Sequence, residues 1–229
     1  MSSENKLLVF DVETTGLLPK QEKMNMHTIN NYPHIIQFSY LLYDISKNQI
    51  IKKSDNYINV DSSVEISPKI TELTGITRDK CKNGINILNA LKDFYDLYSQ
   101  SDVIISHNMN FDRTMVLAEM CRNHNSITNT MPYMFTLFNK AQMTRSEKSL
   151  YCTMKNGIDM CNLMVESKTK PGVTYKKWPK LIQLYEHLFQ YSPENLHNSY
   201  VDSLVCLRCY LKMEKNIDNP EFDKLIPRP

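Results

Sequence analysis

Glycine is scarce in this chain, at 5 of 229 residues, and there is a single tryptophan. Collagen-like, linker-rich and glycine-loop architectures therefore have little support. No stretch approaches the roughly 18 to 20 apolar residues that a membrane-spanning helix needs. The amino terminus, Met-Ser-Ser-Glu-Asn-Lys, is polar, and only four apolar residues follow it, Leu7 to Phe10. That is not the pattern of a signal peptide, and it predicts an intracellular protein with no membrane association. An excess of one charge is missing too. Lys plus Arg is 27 and Asp plus Glu is 25, a formal charge of +2. A histone-like polycation and an acidic-tail protein are excluded, whereas nucleic-acid binding stays open if the charge is unevenly placed. The six cysteines come without an export signal in a chain long enough to need no staples, so a reducing interior is expected. Cys206 and Cys209 form a C-x-x-C inside a helical stretch, where they read as small residues on a helix face.

What is present suits a real core: 41% of the residues are hydrophobic and 23% charged. Leu7 to Phe10 predicts a buried strand that turns polar at Asp11-Val12-Glu13, followed by a turn at Thr14-Thr15-Gly16. Residues 19–33 predict an exposed loop. Ile35 to Tyr43 and Ile50 to Val60 predict two more strands. Ser67-Pro68 is a helix start and Gly75 its stop. Helical spacing recurs over Ile87 to Tyr98, and Val103 to Ile105 predicts a core strand. Phe111 to Cys121 predicts a helix burying Phe111, Met115, Leu117, Ala118 and Cys121. Further helices are expected from Pro179 to Tyr191 and from Tyr200 to Met213. This order implies an α/β class, a mixed central sheet flanked by helices. One domain over 1–215 is expected, with 216–229 as a polar tail.

Charge is indeed uneven. From Lys140 to Lys180 there are nine basic and three acidic residues, which leaves the rest of the chain at −4. Tyr175 and Trp178 lie within that stretch. Charge runs are usually solvated loops; a basic segment carrying aromatics can also hold phosphates and stack on bases.

The acids are placed in ways that call for a reason. Asp11 and Glu13 are two apart on a strand and share a face. Like charges this close repel, and a low-dielectric core beside them raises the cost. Asp112 falls at a helix start after a strand, and Asp202 opens the last helix, with His197 five residues before it. Each acid alone could be an ordinary helix-start or strand-end residue. Together they suit a site for two divalent ions, in which an unliganded His197 takes a proton from water.

These residues carry a resemblance. Phe10-Asp11-Val12-Glu13-Thr14-Thr15-Gly16-Leu17, His107-Asn108-Met109-Asn110-Phe111-Asp112 and His197-Asn198-Ser199-Tyr200-Val201-Asp202 are similar, in order, to the three motifs of the DnaQ-like, or DEDDh, 3′-to-5′ exonucleases. Leu73-Thr74-Gly75-Ile76-Thr77 also looks like that family's segment between the first two motifs. The resemblance implies a ribonuclease H-like fold and two Mg²⁺ or Mn²⁺ ions. It also implies hydrolysis of the 3′-terminal phosphodiester to nucleoside 5′-monophosphates. Carried over by position, Asp11, Glu13, Asp112 and Asp202 become the metal carboxylates and His197 the general base, while Thr14, Thr15 and Leu17 match positions that touch the terminal nucleotide. Ser199 stands where the family usually has Ala, a small-for-small change expected to be harmless, and the 19–33 loop is longer than in the smallest members. The expected substrate is a single-stranded 3′ end, DNA rather than RNA, in proofreading or repair near the replicating genome, with a DNA polymerase as an expected partner. An exoribonuclease is the rival activity. A non-catalytic nucleic-acid-binding subunit is the rival from another class, although a scaffold has no need of converging acids.

Overall fold

In the computed structural model, which describes residues 5–227, a five-stranded mixed sheet forms the centre. β1 (Lys6–Thr14), β2 (Ile35–Asp44) and β3 (Gln49–Tyr57) form an antiparallel meander. β4 (Val103–Ser106) and β5 (Ser149–Cys152) continue the sheet parallel to β1, giving the order β3-β2-β1-β4-β5. Between β3 and β4 run α1 (Pro68–Thr74), α2 (Arg78–Lys82) and α3 (Ile87–Gln100). After β4 come α4 (Met109–Arg122), α5 (His124–Thr130) and α6 (Lys140–Arg145). After β5 lie α7 (Thr153–Asn156), α8 (Ile158–Cys161) and a small hairpin of β6 (Met164–Glu166) and β7 (Thr174–Lys176). The chain closes with α9 (Leu181–Phe189), α10 (Ser199–Lys215) and α11 (Phe222–Leu225).

The period-2 alternation of β1 divides the core. Leu8, Phe10 and Val12 face Leu91 and Phe94 of α3 and Met115 and Val116 of α4. Leu7 and Val9 face Leu204 and Leu207 of α10. Strand alternation therefore directs Asp11 and Glu13 to the α10 side. β1 pairs with β4 only as far as Val9 against Ile105 and then runs on to Thr14, so its carboxyl end projects beyond its parallel neighbour. In open α/β sheets, ligands bind in the crevice at such strand ends.

The helix at Ser67-Pro68 forms as expected. The Ser67 hydroxyl accepts from the Ile70 amide, and Gly75 closes the helix at φ 67°, a left-handed conformation that costs glycine least. Other expectations need correcting. On α4, Phe111, Leu117 and Cys121 are only half-buried, while Met109, Val116 and Met120 are buried along with Asp112 and Glu119. The 19–33 loop is not wholly exposed. Ile29 and Tyr32 are buried against Ala118, and the Arg122 guanidinium donates to the carbonyls of Ile29, Tyr32 and Pro33. Nor are residues 216–227 a free polar tail. Phe222 and Ile226 are buried in the α10 core, and buried Arg208 ion-pairs with Asp218 and Asp223 at 2.9 and 2.8 Å. Residues 1–4 and 228–229 lie outside the described residues.

Candidate active site

Three elements deliver the acids. β1 carries Asp11 and Glu13 at its overhanging end. The tight connection from β4 to α4 passes through Asn108, left-handed at φ 71°, and brings Asp112 into the first turn of α4. There Ser106 donates its hydroxyl to Asp112 Oδ2 at 2.9 Å. Asn198 caps α10 by accepting from the Tyr200 and Val201 amides, and the His197 amide donates to Asp202 Oδ2 at 3.2 Å. Ser199 turns out to be bonded: its hydroxyl meets that of Ser39 on β2 at 2.7 Å, and its amide donates to Gln37 Oε1.

The acids act on one another. Burial, then Asp112, Asp202 and Glu13, push the Asp11 carboxyl well above the usual range. Burial, followed by the charges of Asp202 and Asp112, raises Glu13 to about 8. Burial raises Asp112 to about 7 in spite of its Ser106 bond, and Asp202 to about 7 in spite of the His197 amide. Such a group of acids is short of positive charge. Ligand atoms of Glu13, His197 and Asp202 lie within 4.8 Å of one another. Asp202 Oδ1 is buried with no hydrogen-bond partner among the described residues. Hard oxygen donors with an orphaned carboxylate oxygen fit a divalent ion such as Mg²⁺ or Mn²⁺.

The four acids and His197 line a cleft of about 1400 Å³. Leu17, 85% exposed, stands on its rim. Thr14 and Thr15 do not line it. The Thr14 hydroxyl donates to the Gly16 carbonyl at 2.7 Å, and Thr15 Oγ1 accepts from the His34 amide at 3.0 Å. The two threonines shape the turn that presents Leu17.

Sequence reasoning assigned no part to His107, Phe111 or Met154, all of which line the cleft. His107 sits between Thr153 Oγ1 at 2.9 Å and the Pro179 carbonyl at 3.2 Å. Burial lowers its pKa to about 4, so near pH 7 the ring is neutral and donates through Nε2 to the carbonyl while Nδ1 accepts from Thr153. Its place directly after a core strand was the available signal. The basic segment also reaches the cleft, through Tyr175, Lys177, Trp178 and Lys180.

The sequence pattern of the exonuclease family RNase_T matches residues 8–210. The chain belongs to this family, the DnaQ-like exonucleases. DNA polymerase III PolC-type of Streptococcus agalactiae is 34% identical over 134 residues, 58% of this chain and 8% of that protein. The Bacillus subtilis counterpart is 30% identical over 109 residues, 48% of this chain and 6% of its own. The chain thus spans under a tenth of the curated relatives it matches. Among solved structures, exonuclease I superposes over 96% of this chain and 43% of its own, with a TM-score of 0.61 and 17% identity. The nuclease domain of 3′hExo, a DEDDh family member bound to rAMP, superposes over 94% of both chains, with a TM-score of 0.58 and 14% identity. These likenesses establish the ribonuclease H-like fold. DEDDh exonucleases use divalent metal ions, in keeping with the donor set of this exonuclease domain. No helix among the described residues is long and apolar enough to cross a membrane.

Proposed function

We propose that this domain is a 3′-to-5′ exonuclease that uses two Mg²⁺ or Mn²⁺ ions to remove nucleoside 5′-monophosphates from single-stranded DNA ends, in proofreading or repair. The observation that carries the reading is the convergence of Asp11, Glu13, Asp112 and Asp202 from three elements, each with its pKa raised, around a buried and unpartnered Asp202 oxygen. Acids held this way are a stability cost that a cation-binding function explains and a scaffold does not. The PolC-type relatives are named as DNA polymerases, and E. coli exonuclease I has been solved with a dA16 oligonucleotide; both favour DNA.

Asp11, Glu13, Asp112 and Asp202 would hold the cations, and the cations when bound would supply Lewis-acid polarisation of the scissile phosphate. Ser106 orients Asp112, and the His197 amide orients Asp202. The exposed His197 ring, beside Glu13 and Asp202, takes the proton from the attacking water. Leu17 packs against the terminal nucleotide, and the Thr14–Gly16 turn fixes its approach.

The test is a product assay on matched DNA and RNA oligomers labelled at the 5′ end, with Mg²⁺ and with EDTA. A ladder shortening from the 3′ end on DNA, abolished by EDTA, is expected. Preferential RNA trimming would replace DNA with RNA in this reading. No metal-dependent release from either would overturn it.

A further inference from the structure

Trp178 is 55% exposed, although tryptophan is among the most buried side chains on average. Among the described residues its ring stacks on no other ring and its indole N–H has no partner. It stands on the wall of the catalytic cleft. A floppy surface loop does not explain it, because the backbone is held on both sides. The Lys177 amide donates to the Leu163 carbonyl at 2.8 Å, continuing the β6–β7 pairing. On the other side buried Pro179 offers its carbonyl to His107 Nε2 at 3.2 Å, and the Lys180 amide donates to Gln183 Oε1 at 3.0 Å as α9 begins. A flat apolar ring on a fixed backbone loses little entropy on binding. The flanking charges have the matching sign. Lys177 and Lys180 make no ion pair among the described residues, whereas Lys176 is paired with Asp159. The cleft volume of about 1400 Å³ exceeds the ~300–1,000 Å³ of a small-molecule pocket. It therefore has room for more than one terminal nucleotide.

We infer that Trp178 is a stacking platform for an unpaired base of the substrate strand, on the 5′ side of the scissile phosphate, with Lys177 and Lys180 meeting the adjoining phosphates. This rests on the exonuclease reading and deepens it. Trp178 becomes a residue that selects single strands, since a base upstream of the 3′-terminal pair in a duplex is already stacked on both faces and the indole would have to displace a neighbour. His107 positions the platform through Pro179.

Trp178 is the chain's sole tryptophan, so its fluorescence reports this site alone. The full chain carrying Asp112→Asn is titrated in Mg²⁺ with dT12, rU12 and a blunt DNA hairpin, each 5′-labelled so that anisotropy measures binding independently. Saturable quenching by the unpaired oligomers, and little by the hairpin at equal occupancy, is expected. The dT12 and rU12 arms show whether deoxyribose or ribose strands occupy the site. In the otherwise wild-type chain, Trp178→Ala should raise KM on labelled dT12 about 5- to 150-fold with kcat changed far less, and Trp178→Phe should restore most of the loss. The p-nitrophenyl ester of thymidine 5′-monophosphate has no upstream base, so its hydrolysis should be unaffected by Trp178→Ala. Binding without quenching, or equal losses on the ester and the oligomer, overturns the platform. If wild-type protein hydrolyses neither substrate, the exonuclease reading fails, and the quenching still decides the platform.

Discussion

The hydroxyls of Ser39 and Ser199, 160 residues apart in the chain, lie 2.7 Å from each other in the buried seam between β2 and the first turn of α10. Ser39 donates to Asp55 Oδ1 at 2.8 Å, so Ser199 is the donor in the pair. Gln37 closes the network: its Nε2 donates to the same Asp55 oxygen, and its Oε1 accepts the Ser199 amide. The start of the helix that carries Asp202 is thereby tied to the strand beside the one that carries Asp11 and Glu13. A residue whose replacement of Ala was expected to be harmless makes a specific contact.

Ser199→Ala removes one donor and leaves Ser39 bonded to Asp55. The expected cost is about 0.5–1.5 kcal/mol, with turnover nearly unchanged. Asp55→Ala strands the buried Ser39 and Gln37 donors, and about 2–3 kcal/mol is expected. Chemical denaturation of the two variants checks the order. A larger loss from Ser199→Ala would show that the network is assigned wrongly.

The carboxylates should make the metal-free protein less stable as pH rises. An acid whose pKa is higher folded than unfolded favours the folded state while it keeps its proton. That contribution is full below the ordinary values of 3.8 and 4.5 and is lost as pH climbs through the folded values near 7 for Asp112 and Asp202 and near 8 for Glu13. His34 and His107, both lowered to about 4 by burial, act in the opposite sense, gaining stability up to their ordinary 6.5 and nothing above it. Between pH 6.5 and 8 the acids therefore act alone, with a loss on the order of 3 kcal/mol. Thermal melts in EDTA should fall across that window by on the order of 5–10 °C, and Mg²⁺ should remove the slope. A flat EDTA profile would contradict the raised values.

Asp112→Ala is expected to abolish activity while the protein still folds, because it removes a ligand and relieves repulsion together. His197→Ala should lose about 10²- to 10⁴-fold in kcat with Mg²⁺ affinity little changed. Calorimetry separates the roles: metal binding that collapses with His197 would make it a ligand.

Neutralising Lys177 and Lys180 together should raise KM and lower the salt slope by up to about two contacts, near 0.7 each on single strands. Neutralising Lys176 should do less, because Asp159 already meets its charge. Equal effects of all three on a log KM against log salt plot would argue for a diffuse field with no defined track.

A 3′-phosphate adds negative charge beside Asp11 and Glu13. A 3′-phosphorylated oligomer is expected to be degraded far more slowly than its 3′-hydroxyl twin, and circular single-stranded DNA should survive. Gel analysis of both substrates decides it, and a nicked circle would exclude an end-dependent enzyme.

Much was legible in the chain itself. β1, β2 and β4 could be read as short runs of apolar and β-forming residues, the helices α3 and α4 by their apolar spacing and α9 and α10 by where they begin, and Ser67-Pro68 and Gly75 mark helix ends by local geometry. The four acids and His197 that we propose for the site stood out in the sequence because acids at a strand end and at helix starts, with a histidine shortly before the last, call for a reason, and because they fall in three ordered motifs. The stretch from 124 to 178 was not legible beyond its charge, since helices of four to seven residues and strands of three or four are too short to show a period. Which of the flagged side chains would face the cleft was decided by contacts distant in sequence. The Thr15 hydroxyl is taken by the His34 amide and the Ser199 hydroxyl by Ser39. Arg208 holds Asp218 and Asp223, which draws an apparent tail into the core, and His107 holds Pro179, which sets Trp178 on the wall. Local propensity and periodicity are properties of neighbours along the chain, whereas a hydrogen bond across 160 residues exists only once the sheet has brought its partners together.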